Sequence, residues 1–84
     1  MKIVFTDEAW EDYLYWQKSN KRFLKRINLL IKEAIRSPYE GLGKPEVLRY
    51  DLQGFCSRRV DSEHRLVYLI SNKELKIVSC RYHY

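Results

Sequence analysis

Cysteine is scarce in this 84-residue chain: Cys56 and Cys80 are the only two, too few and too far apart for a disulfide framework. With His64 and His83 they also lack any zinc-ligand spacing, so no metal and no cofactor are expected. Both read as buried or strand-borne thiols of a reducing, cytoplasmic setting. Long apolar runs are missing as well. No stretch approaches the ~18 residues of a membrane span. The start, MKIVFTDEAW, has an early charge and only three consecutive apolar residues, unlike a secretory leader. There is no internal repeat and no low-complexity segment. Acids are outnumbered, 11 Asp and Glu against 16 Lys and Arg, for a net charge of +5. That imbalance favours a polyanionic partner, either nucleic acid or an acidic protein.

What is present is apolar and aromatic: 45% hydrophobic and 14% aromatic residues, a composition that argues against disorder. The length permits a single domain spanning residues 1–84, burying ~60% or slightly more of its unfolded surface. Lys2 to Phe5 predicts a first strand. Thr6 can cap the helix that follows, and Asp7 and Glu8 suit its first turn. This helix is expected to run to about Lys18, with Trp10, Tyr13, Leu14 and Gln17 on one face and Ala9, Tyr13 and Trp16 widening it. The aromatics of DYLYWQ are read as core rather than as a platform for stacked bases. Ser19-Asn20 breaks the pattern and caps a second helix, Lys21 to about Arg36, with Phe23, Ile27, Leu30, Ile31 and Ala34 as its buried stripe. Six cations (Lys21, Arg22, Lys25, Arg26, Lys32, Arg36) face only Glu33 there. A polyanion-facing surface and a merely solvated one are equally good readings.

Ser37-Pro38 stops that helix, and Tyr39 to Pro45 form a loop. Val47 to Arg49 is a short apolar strand, and Asp51 to Gly54 a turn. Phe55 to Val60 and Arg65 to Ile70 flank Asp61-Ser62-Glu63-His64 as a hairpin. After a turn at Ser71 to Lys73, Leu75 to Tyr82 is hydrophobic enough to predict an interior strand covered on both faces. The expected fold is α+β. Two N-terminal helices pack on one face of a largely antiparallel sheet of four to five strands, and the other face is left to the basic residues.

Chemistry concentrates between Gly43 and Tyr68 and in the terminal CRYHY. Glu46 lies between Lys44 and Arg49, and nearby positive charge suits a carboxylate acting as a base. Arg49, Arg58, Arg59 and Arg65 are close-set, and His83 sits between Tyr82 and Tyr84. A carboxylate, guanidinium groups and an imidazole are what metal-free RNA cleavage requires, as base, phosphate stabiliser and acid. Arg65 launches an apolar strand, so its guanidinium should be held by its neighbours. Arg59 lies across the hairpin and shares that face only in one loop register. Each residue also has a plain structural reading: a surface ion pair for Glu46, an edge arginine paired with Asp61 or Glu63, an idle histidine at a chain end.

Taken together, DYLYWQ, GKPE, GF-SRR, EHRLVY and CRYHY resemble the YoeB-like toxins of YefM–YoeB toxin–antitoxin modules, within the RelE/ParE superfamily. The similarity runs along the whole chain. The resemblance implies a microbial-ribonuclease-like fold and a ribosome-dependent endoribonuclease, an mRNA interferase that cuts translated mRNA in the A site. It implies as partners a YefM-like antitoxin, the ribosome and mRNA, with room for a homodimer and no membrane. It also implies Glu46 as general base, Arg65 as phosphate stabiliser and His83 as general acid. Lys44, Arg59 and Tyr84 match positions that bind or orient RNA, and Arg49 stands where a lysine is familiar. Cys56 departs from the bulky aromatic expected after Gly-Phe, which leaves local packing open. Two rivals remain: a non-catalytic toxin of the same fold that binds gyrase, and a basic ribosome- or RNA-binding module without chemistry.

Overall fold

Thr6 decides where the first helix begins. Its hydroxyl oxygen accepts the Ala9 N–H at 3.1 Å, and its hydroxyl reaches the Val78 carbonyl at 3.3 Å, so the cap also fastens the helix to a distant strand. In the computed structural model, which describes residues Met1–Tyr82, the elements are β1 (Lys2–Phe5), α1 (Asp7–Ser19), α2 (Lys21–Arg36), β2 (Glu46–Val47), a 3-10 turn (Tyr50–Leu52), β3 (Cys56–Arg59), β4 (Arg65–Ser71) and β5 (Glu74–Ser79). Asn20 ends α1 and starts α2. Its N–H bonds the Trp16 carbonyl at 2.9 Å, while its side-chain oxygen accepts from Arg22 and Phe23 at 3.1 and 3.2 Å.

The sheet has the order β1-β5-β4-β3-β2, antiparallel except for β1, which runs parallel to β5. The α+β architecture is therefore as the sequence predicts. The main core joins Ala9, Trp16, Ile27, Leu30, Ile31 and Ala34 of the helices to Cys56, Leu66, Tyr68, Leu75 and Ile77 of the sheet. Burial of each large aliphatic side chain contributes about 1.5–3 kcal/mol. Cys56 is buried directly opposite Tyr68, so the core accepts the small side chain at that position.

Three expectations need correction. The buried face of α1 is Ala9 and Trp16 with half-buried Tyr13, whereas Gln17 is exposed and Trp10 is 46% exposed. Apolar side chains lie all round this helix, so spacing alone did not fix its rotation. The last strand is interior in its pairing but is not covered on both faces: Lys76 is exposed between buried Leu75 and Ile77. It also ends at Ser79 rather than Tyr82. Cys80 leaves the ladder because the Asp12 carboxylate accepts its N–H at 3.0 Å and the Trp16 indole N–H donates to its carbonyl at 2.8 Å.

The third correction concerns Arg58. It is not part of an arginine cluster on the open face. Its side chain is fully buried on the helix side of β3. Nε donates to the Tyr68 hydroxyl at 2.9 Å, Nη1 to the Leu42 carbonyl at 2.8 Å, and Nη2 to the carbonyls of Glu40 at 3.0 Å and of Ser37. Arg58→Met should therefore leave several buried acceptors unpartnered and destabilise the fold by at least ~3 kcal/mol. Arg58→Lys should recover less than half, since one ammonium cannot reproduce the planar fork. Urea unfolding checks both, and near-equal midpoints for parent and Arg58→Met would count against this role.

Candidate active site

The hairpin register builds the site. Asp61 fixes the turn: its carboxylate accepts the N–H groups of Glu63 and His64 at 2.9 and 2.7 Å. Arg59 then pairs directly with Arg65, and Ser57 with Val67. On the next strand Glu46 pairs with Ser57. Opposed residues point to the same side of a sheet, and so do alternate ones along a strand. Glu46, Arg59 and Arg65 thus share the face turned away from the helices. Strand spacing and rise put the Cα of Glu46 about 8 Å from that of Arg59 and about 12 Å from that of Arg65. Three side chains of this length can contact one phosphodiester between them.

Arg65 is half-buried and its guanidinium is held, as expected. Nη1 donates to the carbonyls of Asp61 at 2.9 Å and His64 at 3.1 Å. Arg59 is exposed, with its N–H on the Gly43 carbonyl at 2.7 Å. Two like charges directly opposed on a sheet repel, and an anion between them removes that penalty. Gly43 brings the Lys44–Glu46 segment this close. With φ +89°, a Cβ here would lie 2.7 Å from Leu30 Cδ2 and 3.0 Å from Arg58 Cβ, so no other residue fits. Lys44 and Arg59 line one shallow depression with Arg26, while Glu46 and Arg49 line another with Tyr50.

Arg26 was missed as a member of this group. Its Nη2 donates to the Arg59 carbonyl at 3.1 Å, so it supports the site rather than belonging to a free basic face. Arg36 is likewise engaged, by Glu33 at 2.7 and 3.2 Å. The exposed cations of α2 are otherwise Lys21, Arg22, Lys25 and Lys32, on the side opposite its buried stripe. Basic residues therefore occupy both sides of the molecule, not only the open sheet face.

His83 and Tyr84 lie outside the described residues. The segment leading to them is tied down at four points. Besides the two bonds of Cys80, the Tyr82 N–H donates to His64 Nδ1 at 2.7 Å and the Tyr82 carbonyl accepts the Arg65 N–H at 3.1 Å. Asp12, Trp16 and His64 were not singled out for this role. The signal for Asp12 was its place between Ala9 and Trp16 at i+3 and i−4, where a carboxylate on a buried stripe needs a partner. Burial, then the charge of Asp12, push the Cys80 thiol up to about 12, so it is no nucleophile. Among the described residues no three His, Cys, Asp or Glu side chains gather as metal ligands, and no helix is long and apolar enough to cross a membrane.

Comparison with known proteins gives a consistent result. Residues 5–84 match the family model of the YoeB-like toxin of bacterial type II toxin–antitoxin system. The chain is 55% identical to Toxin YoeB of Escherichia coli strain K12, over all of both chains. Its fold superposes on a YoeB/ParE toxin from Agrobacterium tumefaciens with a TM-score of 0.98 and 46% identity, again over all of both chains. It also superposes on a chain of a heterotetrameric YoeB–YefM toxin–antitoxin complex from Staphylococcus aureus, with a TM-score of 0.92, 47% identity and coverage of 100% and 98%.

The tail anchor has a measurable pH signature. Burial raises the pKa of Asp12 above the ordinary carboxylate value, and the Cys80 N–H only partly opposes it. A raised folded-state value means the native protein binds the proton more tightly than the unfolded chain. Stability from this group is thus lost as pH rises from the unfolded value, ~3.9, through the higher folded one. Asp12→Asn keeps the acceptor and removes the charge. Its stability relative to the parent should rise across that window and then level off. Urea midpoints for both proteins between pH 3.5 and 7 test this, and parallel curves would refute it.

Proposed function

The chain belongs to the YoeB-like toxins of bacterial type II toxin–antitoxin systems, and from that premise we propose that it is a metal-independent, ribosome-dependent endoribonuclease acting on translated mRNA in the A site. The observation that carries this reading is the shared sheet face of Glu46, Arg59 and Arg65, with the Tyr82 carbonyl bonded to the Arg65 amide at its edge. A pure binding toxin has no need of a carboxylate beside two opposed arginines. Glu46 takes the proton of the 2′-hydroxyl, whose oxygen attacks the adjacent phosphorus. Arg65, with Arg59, stabilises the charge that develops on the non-bridging oxygens. His83 donates a proton to the departing 5′-oxygen, leaving a 2′,3′-cyclic phosphate or, after water adds, a 3′-phosphate. Lys44, Arg49 and Tyr84 bind or orient the RNA.

A positioned acid or base supplies ~10²–10⁴ in rate. The ribosome holds the mRNA in register and contributes the remainder as positioning. The substrate sets the location as cytoplasmic. A YefM-type antitoxin is the proposed restraint. An acidic segment laid over Arg59 and Arg65 would neutralise the opposed pair and block phosphate at once.

The test is primer extension on ribosomes translating a defined mRNA. His83→Gln and Glu46→Ala should each lower cleavage by ~10²–10⁴ while ribosome binding persists. An mRNA with 2′-deoxy at the scissile nucleotide should bind and remain uncut. Normal cutting of the deoxy substrate would mean that water attacks directly, and these roles would fall. Intact mRNA with the unmodified protein would favour a binding toxin instead.

A further inference from the structure

We propose that His64 is a positioning residue that sets the Cys80–Tyr82 turn against Arg65, an inference that rests on the reading of His83 as general acid. His64 is 7% exposed and touches both halves of the proposed machinery. Its backbone carbonyl receives Arg65 Nη1 at 3.1 Å, and its ring Nδ1 receives the Tyr82 N–H at 2.7 Å. A backbone amide can only donate, so Nδ1 must be the bare nitrogen of a neutral imidazole. The other ring nitrogen lies 3.5 Å from Glu63 Oε1. Three rings fix the imidazole plane: Trp16 with centroids 4.7 Å away at 77°, Phe23 at 5.8 Å and Tyr82 at 5.5 Å.

What this arrangement holds is not a relaxed backbone. Tyr82 has φ +63°, a left-handed conformation that a bulky side chain adopts only under constraint. The constraint is visible on both sides of the residue, as its N–H goes to His64 and its carbonyl to the Arg65 N–H. Tyr82 is the residue to which His83 is joined, and consecutive Cα atoms are ~3.8 Å apart. Holding Tyr82 therefore fixes the covalent attachment point of His83 relative to Arg65. A histidine serving only as core filler would need neither the bond to Tyr82 nor the strained turn.

The test sets packing against hydrogen bonding. His64→Phe keeps a ring against Trp16 and Phe23 but has no acceptor. His64→Asn loses the ring and retains an oxygen near the place of Nδ1. Cleavage on translating ribosomes should fall ~10–100-fold in kcat for His64→Phe with KM unchanged, while His64→Asn stays within about threefold of the parent. Exchange of the Tyr82 amide hydrogen should accelerate in His64→Phe and stay slow in His64→Asn. A purely structural histidine gives the reverse order of activity, following urea stability, and that result overturns the inference. Should His64→Phe fail to fold, the amide between Arg81 and Tyr82 can be replaced by an ester in a synthetic CRYHY segment ligated at Cys80. This removes the donor alone, and full activity of the ester protein also overturns the inference. His83→Gln in the same assay keeps the two readings apart. If it cleaves normally, the proposed acid is wrong. If it is inactive while His64→Phe cleaves like the parent, only the positioning role falls.

Discussion

A buried guanidinium governs where the candidate site can form. Arg58 carries its charge into the helix side of the sheet and satisfies it with oxygens from the stretch that follows α2, namely the carbonyls of Ser37, Glu40 and Leu42, and with the Tyr68 hydroxyl. That hydroxyl in turn donates to the Pro38 carbonyl at 2.6 Å. Burying a charge is costly unless it is fully hydrogen-bonded, so the loop has little freedom to take another path. Gly43 then passes against Arg58 Cβ, and its carbonyl accepts the Arg59 N–H. From there the chain reaches Glu46 on β2. Two adjacent arginines thus act on opposite faces: Arg58 fixes the loop from inside, and Arg59 presents its charge outside.

Local chemistry was legible in the sequence and long-range choices were not. Thr6 and Asn20 cap helices through bonds to residues two or three positions away, so the helix limits could be read directly. The α2 stripe was equally clear, because cations on the outer side left one apolar face. The rotation of α1 was not, since Trp10, Tyr13, Leu14, Tyr15 and Trp16 surround it. For the Arg58-Arg59 pair, strand alternation requires that one point inward, but which one depends on hairpin register. That register rests on Asp61 accepting two amides, a detail visible only in three dimensions. The pairing of β1 with β5 joins residues more than seventy positions apart and leaves no local trace. Glu46 and Arg65 were legible as candidates by residue type and motif, whereas the bonds of Asp12, Trp16 and His64 to the last turn were not.

The charge distribution has a consequence for how a polyanion meets this protein. Lys21, Arg22, Lys25 and Lys32 lie on the side of α2 away from the core, and Arg59 and Arg65 lie on the open sheet face, while Arg26 and Lys44 stand beside Arg59 at the hairpin end of the molecule. The two basic surfaces are therefore joined at that end, and a polyanion drawn to one meets a basic edge that leads to the other.

Within the site itself the parts differ in how firmly they are founded. Arg59 and Arg65 stand on β3 and β4, strands paired on both sides whose buried residues belong to the core. Glu46 stands on a two-residue edge strand and is exposed. The last turn, Cys80 to Tyr82, lies outside the ladder and depends on individual hydrogen bonds to Asp12, Trp16, His64 and Arg65. The arginine pair thus stands on the rigid part of the fold, while the groups proposed to move protons are attached at its margins. Margins open at a smaller free-energy cost than a core does. Under the proposed function, an acidic partner held on the arginine pair would need to displace only a margin, and not the core, to disable the site. For a toxin of a toxin–antitoxin system, that division of rigidity is the feature a reversible restraint would use.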